Sequence, residues 1–260
     1  MAEKDLSLSA ITDNLGTGFI GQKILYYPRL ASTMTVAKMQ ARQGAAEGTV
    51  VIAGEQTAGR GRLERLWLTP RGNIALSIIL YPGKSYLPYL VMVSSLAVVR
   101  SIEAVTGLTA RIKWPNDVLI NGKKVGGILV ETQFSGKKVA YSVVGIGINV
   151  RLRPADYPDL QYPATSLVTE LGRPVSRPDL LRYLFSEFES LYCSLPLADS
   201  IVEEWRGRLV MLGRNIRVGQ GDRLLEGIAE SVASDGSLLL RLPDGNCTRI
   251  VAGDVTLIWT

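Results

Sequence analysis

The sequence predicts an α+β fold in which a mixed or antiparallel sheet packs against helices and a small β-barrel follows. The chain has 260 residues, 47% of them hydrophobic, which suffices for one large core with a small domain attached. Strand-like apolar runs are interrupted by segments of helical periodicity, and from Gly213 the pattern changes to short strands and tight turns. We therefore expect an N-terminal arm over residues 1–22, a main domain over residues 23–212 and the barrel over residues 213–260.

The first half of the main domain is predicted to alternate strands with helices. Strands are predicted at "KILYY", "GTVVIAGEQ" and "NIALSIIL", and the helix after the first has Ser32 or Thr33 as its N-cap and Gly44 as its end. The most apolar run, Leu87–Val99, is shorter than the roughly 20 residues of a membrane span and contains two serines. We expect it to form a buried helix that extends to Gly107. Because the N-terminus also lacks an apolar signal core, a cytoplasmic protein without a membrane segment is expected.

The second half of the main domain is richer in strands. Strands are predicted at "ARIKWP", "KVGGILVETQ" and "VAYSVVGIGINV", and Asn121-Gly122 predicts a hairpin between the first two. "SRPDLLRYLFSEFESLYCSL" has the spacing of an amphipathic helix, and a second helix is predicted from Asp199 to Met211. In the barrel, Ser234-Asp235-Gly236 and Asp244-Gly245 are predicted hairpin turns.

The composition excludes several kinds of chemistry. There is no histidine, which removes a Ser-His-Asp triad, a Cys-His pair and histidine-ligated zinc. The two cysteines, Cys193 and Cys247, are far apart and in no metal-binding spacing. The net charge of +5 favours anionic ligands only weakly. Catalysis must therefore use lysine, arginine, carboxylates, backbone amides or a metal held by oxygen ligands.

The first candidate site segment is "AGRGRLERLW", Ala58–Trp67. Gly59 and Gly61 allow the backbone to turn sharply and to approach a ligand closely. Its three arginines carry planar forks that suit phosphate or carboxylate groups. They are Arg60, Arg62 and Arg65. A solvent-exposed basic turn is the alternative, since loops of this composition are common.

The second segment is "RIKWPNDVLINGKKVGGILVE", Arg111–Glu131. Lys113 offers a mobile positive charge that can neutralise a developing oxyanion or pyrophosphate. Asn116 and Asp117 are oxygen donors that can hold Mg²⁺ or orient that lysine. A polar turn with its own capping bonds is the alternative. Gly126-Gly127, inside an apolar strand, indicates a close approach by another group.

The third segment is "VVGIGINV". Gly145 and Gly147 alternate with apolar residues, which leaves room for a ligand or another backbone on one face of the strand, and Asn149 ends the run. The glycine spacing is not that of a dinucleotide-binding fingerprint, and no helix follows.

Taken in this order, the three segments resemble the biotin–protein ligase family. "GRGRLERLW" is similar to its Gly-Arg-Gly-Arg-x-Gly-Arg-x-Trp loop, "KWPNDVLINGKKVGGILVE" to its Lys-Trp-Pro-Asn-Asp segment and hairpin, and "GIGINV" to its Gly-x-Gly-x-Asn strand. The resemblance implies a class II synthetase-like core and an SH3-like barrel. It also implies an enzyme that makes biotinyl-5′-AMP and pyrophosphate from biotin and ATP. Biotin then passes to one lysine of a biotin carboxyl carrier domain of a carboxylase.

The resemblance also implies roles for individual residues. The biotin site would contain Ser32, Thr33, Met34, Gln56, Arg60, Gly61, Arg62, Lys124 and Gly127. The ATP and adenylate site would contain Arg60, Arg62, Arg65, Trp67, Lys113, Asn116 and Asn149. The catalytic residues would be Lys113, Arg62, Asn116 and Asp117. Mg²⁺ would be bound mainly through ATP, with no firm protein ligand.

Two positions depart from the family pattern. Glu64 stands where the family usually has glycine, so a left-handed backbone is expected to be lost there and a negative charge to be added near the adenylate. Met34 stands where asparagine is frequent, so one polar contact to biotin is expected to be missing or made by the backbone. Residues 1–22 are too few for a helix-turn-helix module, so a monofunctional ligase that binds no DNA is expected. A homodimer is implied by the resemblance only.

Two alternatives remain open at this point. A lipoate or octanoate ligase of the same superfamily would lack the Lys-Trp-Pro-Asn-Asp segment in this setting. A nucleic-acid-binding module would require a broad basic face with interleaved aromatic residues. The basic residues of this chain are scattered, and the excess of positive charge is small.

Overall fold

The computed structural model describes residues 6–158, 160, 162–220 and 223–257. Residues 1–5 of the predicted arm and residues 258–260 of the predicted barrel lie outside this set. The helices are α1 (Leu8–Thr12), α2 (Thr33–Arg42), α3 (Leu90–Thr106), α4 (Leu167–Leu171), α5 (Arg177–Cys193) and α6 (Ala198–Gly207). The strands of the main sheet are β1 (Ile24–Tyr27), β2 (Val50–Ala53), β3 (Ile74–Leu80), β4 (Arg111–Lys113), β5 (Asp117–Ile120), β6 (Lys123–Ser135) and β7 (Lys138–Ile148). The strands of the C-terminal sheet are β8 (Asn215–Gln220), β9 (Arg223–Val232), β10 (Leu238–Arg241), β11 (Cys247–Ile250) and β12 (Asp254–Leu257).

The main sheet is mixed, which confirms the predicted α+β class. Its strand order is β1-β2-β3-β7-β6-β5-β4, and only the β1–β2 pair is parallel. β3 is buried on both faces because helices cover both. Ile78 points into the core shared with α3 and α5, whereas its neighbour Ile79 packs in the smaller core under α2.

The apolar run in the middle of the chain forms α3, a core helix as predicted. The segment Lys84–Thr106 has the length and composition of a membrane span, but 67% of its most apolar window is buried inside the protein. Such burial is typical of the central helix of a folded core. The helix ends at Gly107, whose φ of 73° provides the left-handed C-terminal cap that glycine favours.

The C-terminal domain is an antiparallel sheet with the order β11-β10-β9-β8-β12. Ile216, Val218, Leu238 and Leu240 form its buried side. Within the described ranges, pairing does not join β11 to β12, so the predicted small barrel is not closed and forms an open antiparallel sheet. The two edge strands have four residues each, and each pairs with a single neighbour.

Residues 6–22 do not form the expected loose arm. The side chains of Leu6, Ile11 and Ile20 are buried, and α1 packs against α5. The Glu189 carboxylate accepts hydrogen bonds from three consecutive backbone N–H groups at residues 18–20, with distances of 2.6, 2.9 and 2.8 Å. The apolar positions and this carboxylate tie the segment to the main domain.

Two element boundaries also differ from the prediction. "NDVLI" is not only a connection, because Asp117–Ile120 pairs with both β4 and β6 as strand β5. The hairpin turn at Asn121-Gly122 lies between β5 and β6, and both residues have positive φ, as this turn requires. The last helix ends at Gly207 rather than Met211, since residues 208–210 leave the helix to bond with Ile112 of β4.

Candidate active site

The predicted site residues converge on one cavity of about 250 Å³ beside the main sheet. All of them except Asn149 line it. The lining residues that the sequence predicted are Ser32, Thr33, Met34, Gln56, Arg60, Gly61, Arg62, Arg65, Trp67, Lys113, Asn116, Asp117, Lys124 and Gly127. The segments that carry these residues are up to about 95 positions apart in sequence. The sheet places the ends of β4, β5, β6 and β7 side by side, which helps to bring them together.

Asn149, the remaining residue predicted to contact the adenylate, is not among the residues that line the cavity. Its backbone N–H donates to Val125 (2.7 Å), and its carbonyl accepts from Leu167 (2.9 Å). The residue is 4% exposed and joins the end of β7 to β6 and to the start of α4. These bonds support the glycine-bearing strand that does reach the cavity.

Asp117 joins two lysines at the base of the cavity. Its carboxylate lies 2.6 Å from the Lys124 ammonium and 3.4 Å from that of Lys113. Lys113 and Asp117 face each other across the β4–β5 pair, so the sheet register sets this contact. Of the two roles open to Asp117, the geometry matches orientation of the lysines.

A tyrosine that the sequence analysis missed completes the surroundings of Lys124. The Lys124 ammonium lies 4.7 Å from the ring centre of Tyr162 and 5.3 Å from that of Trp67, distances typical of cation–π contacts. Residues 163–165 bring Tyr162 there by pairing with the backbone of Lys124. Burial, and secondarily the charge of Asp117, raises the pKa of the Tyr162 phenol, which therefore stays neutral.

Asn116 fixes the corner between β4 and β5. Its amide nitrogen donates to the carbonyl of Ile128 (2.6 Å), and Ile128 N–H donates back to the Asn116 carbonyl (3.0 Å). Its side-chain oxygen accepts from Arg62 at 3.3 Å. Asn116 thus connects the sheet to the arginine loop.

The opposite wall of the cavity is polar and preorganised. The Gln56 side-chain oxygen accepts from the backbone N–H (2.8 Å) and the hydroxyl (3.1 Å) of Thr33, and Ser77 donates to the Thr33 hydroxyl (2.8 Å). Ser32 occupies the N-cap position of α2, but its side chain does not cap the helix. Such a wall, with apolar surface beside it, suits a largely apolar ligand with one polar end.

Trp67 lies on a floor made of glycines. A Cβ atom added at Gly147 would lie 2.3 Å from the indole ring, and one at Gly127 would lie 3.1 Å from it. The glycines at these positions therefore make room for Trp67, and Gly127, which was predicted to make room for the ligand, also lines the cavity. Gly145 makes similar room for Met34, whose sulfur would lie 2.7 Å from a Cβ there.

We call residues Gly59–Trp67 the lid, since the segment covers one side of the cavity. Bonds from Trp67 N–H to the Gly59 carbonyl (2.9 Å) and from Gly61 N–H to the Arg65 carbonyl (2.7 Å) close it on itself. Glu64 has a φ of 55°, so the left-handed backbone expected to be lost is kept without glycine. Leu63, with a φ of 54°, has the same conformation, and both side chains are exposed.

The lid contacts the C-terminal sheet. Both terminal nitrogens of Arg62 donate to the Gly253 carbonyl at 3.2 Å, and Arg65 pairs with Asp254 at 2.5 Å. Asp254 lines the cavity with Val255 and Thr256. Burial lowers the pKa of Arg62, although the charges of Asp254 and Asp117 act in the opposite direction. No sequence pattern marks Asp254, because only the docking of the two sheets brings it to the site.

Cationic side chains outnumber carboxylates by five to two in the cavity lining. They are Arg60, Arg62, Arg65, Lys113 and Lys124, against Asp117 and Asp254. The described residues contain no cluster of three or more Cys, Asp or Glu side chains suited to a metal ion. The cationic lining therefore fits an anionic ligand, next to a pocket for a small, mostly apolar molecule.

Comparisons with known proteins agree with this geometry. Residues 26–149 match the Biotin/lipoate A/B protein ligase family, and residues 211–257 match the Biotin protein ligase C terminal domain. The bifunctional ligase/repressor BirA of Bacillus subtilis is 37% identical over 258 residues, covering 97% of this chain and 79% of the relative. The biotin--[acetyl-CoA-carboxylase] ligase of Mycobacterium tuberculosis is 33% identical, with coverages of 93% and 91%. A biotin protein ligase from Aquifex aeolicus, solved with biotin and ATP, superposes with a TM-score of 0.76 at 28% identity, covering 92% of this chain and all of that one.

Proposed function

The chain belongs to the biotin/lipoate A/B protein ligase family and is a ligase that uses biotin and ATP, and from this premise we propose how its residues divide the reaction. The biotin carboxylate attacks the α-phosphate of ATP, a carboxylate oxygen–phosphorus bond forms, and pyrophosphate leaves. An acceptor lysine then attacks the carbonyl of biotinyl-5′-AMP, so that an amide forms, AMP leaves and the amine loses a proton. The observation that carries the proposal is the meeting of a polar pocket wall, a cationic cluster and a lid in one cavity.

Lys113 and Lys124 are proposed to act on the reacting centre. Negative charge develops on the phosphate oxygens during attack, and a fixed ammonium group stabilises it more than a mobile one does. Asp117 holds both lysines toward the cavity, at 3.4 and 2.6 Å. Because the chain contains no histidine, these two lysines and the lid arginines are the cationic side chains that line the cavity.

The polar wall is proposed to bind the ureido end of biotin. Ser32 and Thr33 lie at the start of α2, and Gln56 lies on the segment after β2; existing hydrogen bonds restrict the orientation of Thr33 and Gln56. The Met34 side chain packs against Gly145 and forms part of the apolar lining of the pocket. Mg²⁺, when bound with ATP, neutralises phosphate charge.

We propose that the acceptor is a biotin carboxyl carrier domain and that the chain acts as a ligase without binding DNA. The lid arginines support the second point. Arg60 pairs with Glu64, and Arg62 and Arg65 contact Asp254 or the carbonyl beside it. Each of them is therefore paired with a group of its own chain. Retarded migration of an operator-containing DNA fragment in a gel, weakening with salt, would contradict this part.

The activity is tested by incubating the purified chain with ATP, Mg²⁺, biotin and a carrier domain, followed by a streptavidin blot and a pyrophosphate assay. The expected result is labelling of the carrier that depends on ATP. Lys137→Ala, in the exposed turn between β6 and β7, is the matched control and keeps full activity, whereas Lys113→Ala loses it. Transfer of lipoate or octanoate in place of biotin would overturn the proposed substrate.

A further inference from the structure

Apart from the contacts at its two ends, the lid is held by one charged residue that lies outside its own segment. Trp67 seats one end on Gly147, and the Arg60–Glu64 pair lies within the lid and is solvent-exposed. Arg62 and Arg65 also reach the first residue of β12, Asp254, on the C-terminal sheet. Arg65 lies 2.5 Å and Arg62 3.8 Å from the Asp254 carboxylate.

The anchor sits on a fixed part of the C-terminal sheet. Asp254 is the first residue of β12 and pairs with Gly219 of β8, so its backbone position is set by the sheet. The preceding carbonyl, of Gly253, accepts both terminal nitrogens of Arg62. A carboxylate on a fixed backbone thus meets two arginines of the lid. The lid itself contains two non-glycine residues with a left-handed backbone, and one β-bridge is its sheet pairing.

We propose that Asp254 is a positioning residue that holds the lid arginines over the cavity and thereby sets how long the acyl-adenylate is retained. The proposal rests on the ligase function proposed above. Asp254 carries the wrong charge to stabilise a phosphate itself, since an anion beside the developing charge would oppose the reaction. Its effect must therefore pass through Arg62 and Arg65, whose orientation it fixes.

If Lys113 acts on the chemical step and Asp254 acts on the lid, variants of the two residues should change different quantities. Lys113, which stabilises the reacting phosphate, should govern the rate of pyrophosphate release in the first turnover. Asp254 should govern the dissociation of biotinyl-AMP and the KM for ATP, with little change in that first-turnover rate. A residue that only supports the fold would not separate these quantities, because it would lower the amount of active protein and affect both alike.

The test measures release of biotinyl-AMP formed from radiolabelled ATP, by rapid filtration after dilution into unlabelled ligand. For Asp254→Asn we expect release about tenfold faster, because a charge-assisted hydrogen bond in a partly buried setting contributes an effect of this order. Asp254→Glu keeps the charge and should restore most of the retention. Asp244→Asn changes an exposed carboxylate in a turn of the same sheet and serves as the control.

The partner side of the contact provides an independent test. Arg65→Gln leaves the C-terminal sheet untouched and should also accelerate release, and the double variant with Asp254→Asn should be no worse than the stronger single variant. Additive effects, or unchanged or slower release for Asp254→Asn, would overturn the proposal. Failure of the unaltered chain to form any biotinyl-AMP would instead refute the ligase function, so the two failures are distinguishable.

Discussion

The floor of the cavity and its lid are held in place by different forces. The floor consists of the ends of β4–β7, where Lys113, Asp117 and Lys124 are positioned by sheet register and main-chain hydrogen bonds. The lid, residues Gly59–Trp67, is positioned by side chains, namely Trp67 on the glycine strand and two arginines on the C-terminal sheet. The difference indicates that the floor is fixed before ligand binds, whereas the lid depends on a few replaceable contacts.

This contrast separates two functions. Preorganised charge in the floor lowers the barrier of the chemical step without reorganisation during the reaction. A segment held by a few contacts can open and close, and its closure retains a reactive intermediate and excludes water. Variants of the floor should therefore affect adenylate formation, and variants of the lid should affect adenylate retention.

Lys113→Ala should have the largest effect, on the floor side of the comparison. Loss of one preorganised cation is expected to slow adenylate formation on the order of 100- to 1000-fold. Biotin affinity should change little, because the polar wall at Thr33 and Gln56 is untouched. Burst kinetics of pyrophosphate release measure the rate, and thermal unfolding checks the fold. Near-normal release would refute the role assigned to Lys113.

Gly147→Ala should rank second, because it acts where the lid meets the floor. The added methyl group would lie 2.3 Å from the Trp67 indole, so the ring must move and the end of the lid with it. Overpacking of this kind typically costs about 1–3 kcal/mol, which corresponds to roughly a 5- to 150-fold loss of retention. Gly207→Ala, where an added methyl group meets no atom within 4 Å, is the matched control. Tryptophan fluorescence and adenylate release report the displacement.

The sequence predicted the floor better than the lid. Lys113, Asn116 and Asp117 occur within five residues, so a local motif was enough to place them together. The occupant of the space above Gly127 and Gly147 could not be predicted, because glycine only indicates a close approach and does not identify the group that approaches.

Long-range docking explains the other omissions. Asp254 is separated from Arg65 by 189 positions, and only the packing of the C-terminal sheet against the main domain brings the two together. The N-terminal segment appeared loose because its apolar residues are isolated in sequence, yet Ile11 and Ile20 are buried against the main domain. Tyr162 lies in an irregular segment without periodicity. It was missed because only the pairing of residues 163–165 with the backbone of Lys124 brings it to the cavity.

Arg62→Gly should have the third-largest effect and should confirm that the lid controls retention. The change removes the bonds to Asn116 and to the Gly253 carbonyl together, so biotinyl-AMP is expected to escape about tenfold faster or more. Escaped adenylate reacts with any nearby amine, so bystander proteins should become biotinylated. A streptavidin blot of a reaction that contains serum albumin measures this labelling. Unchanged retention would show that the lid does not confine the intermediate.

Glu64→Gly should have the smallest effect, because two contributions oppose each other. A non-glycine residue in the left-handed region carries a cost of roughly 1–2 kcal/mol, which glycine removes from the docked lid. Glycine also gives the undocked lid more freedom, which offsets about 0.5–1 kcal/mol of that gain. The net gain of about 0.5–1 kcal/mol should therefore slow release of the adenylate by only about two- to fivefold. Asn14→Gly relieves another left-handed residue, far from the lid in sequence, and should leave release unchanged. Faster release in Glu64→Gly would mean that the pair with Arg60, exposed as it is, stiffens the lid more than backbone strain loosens it.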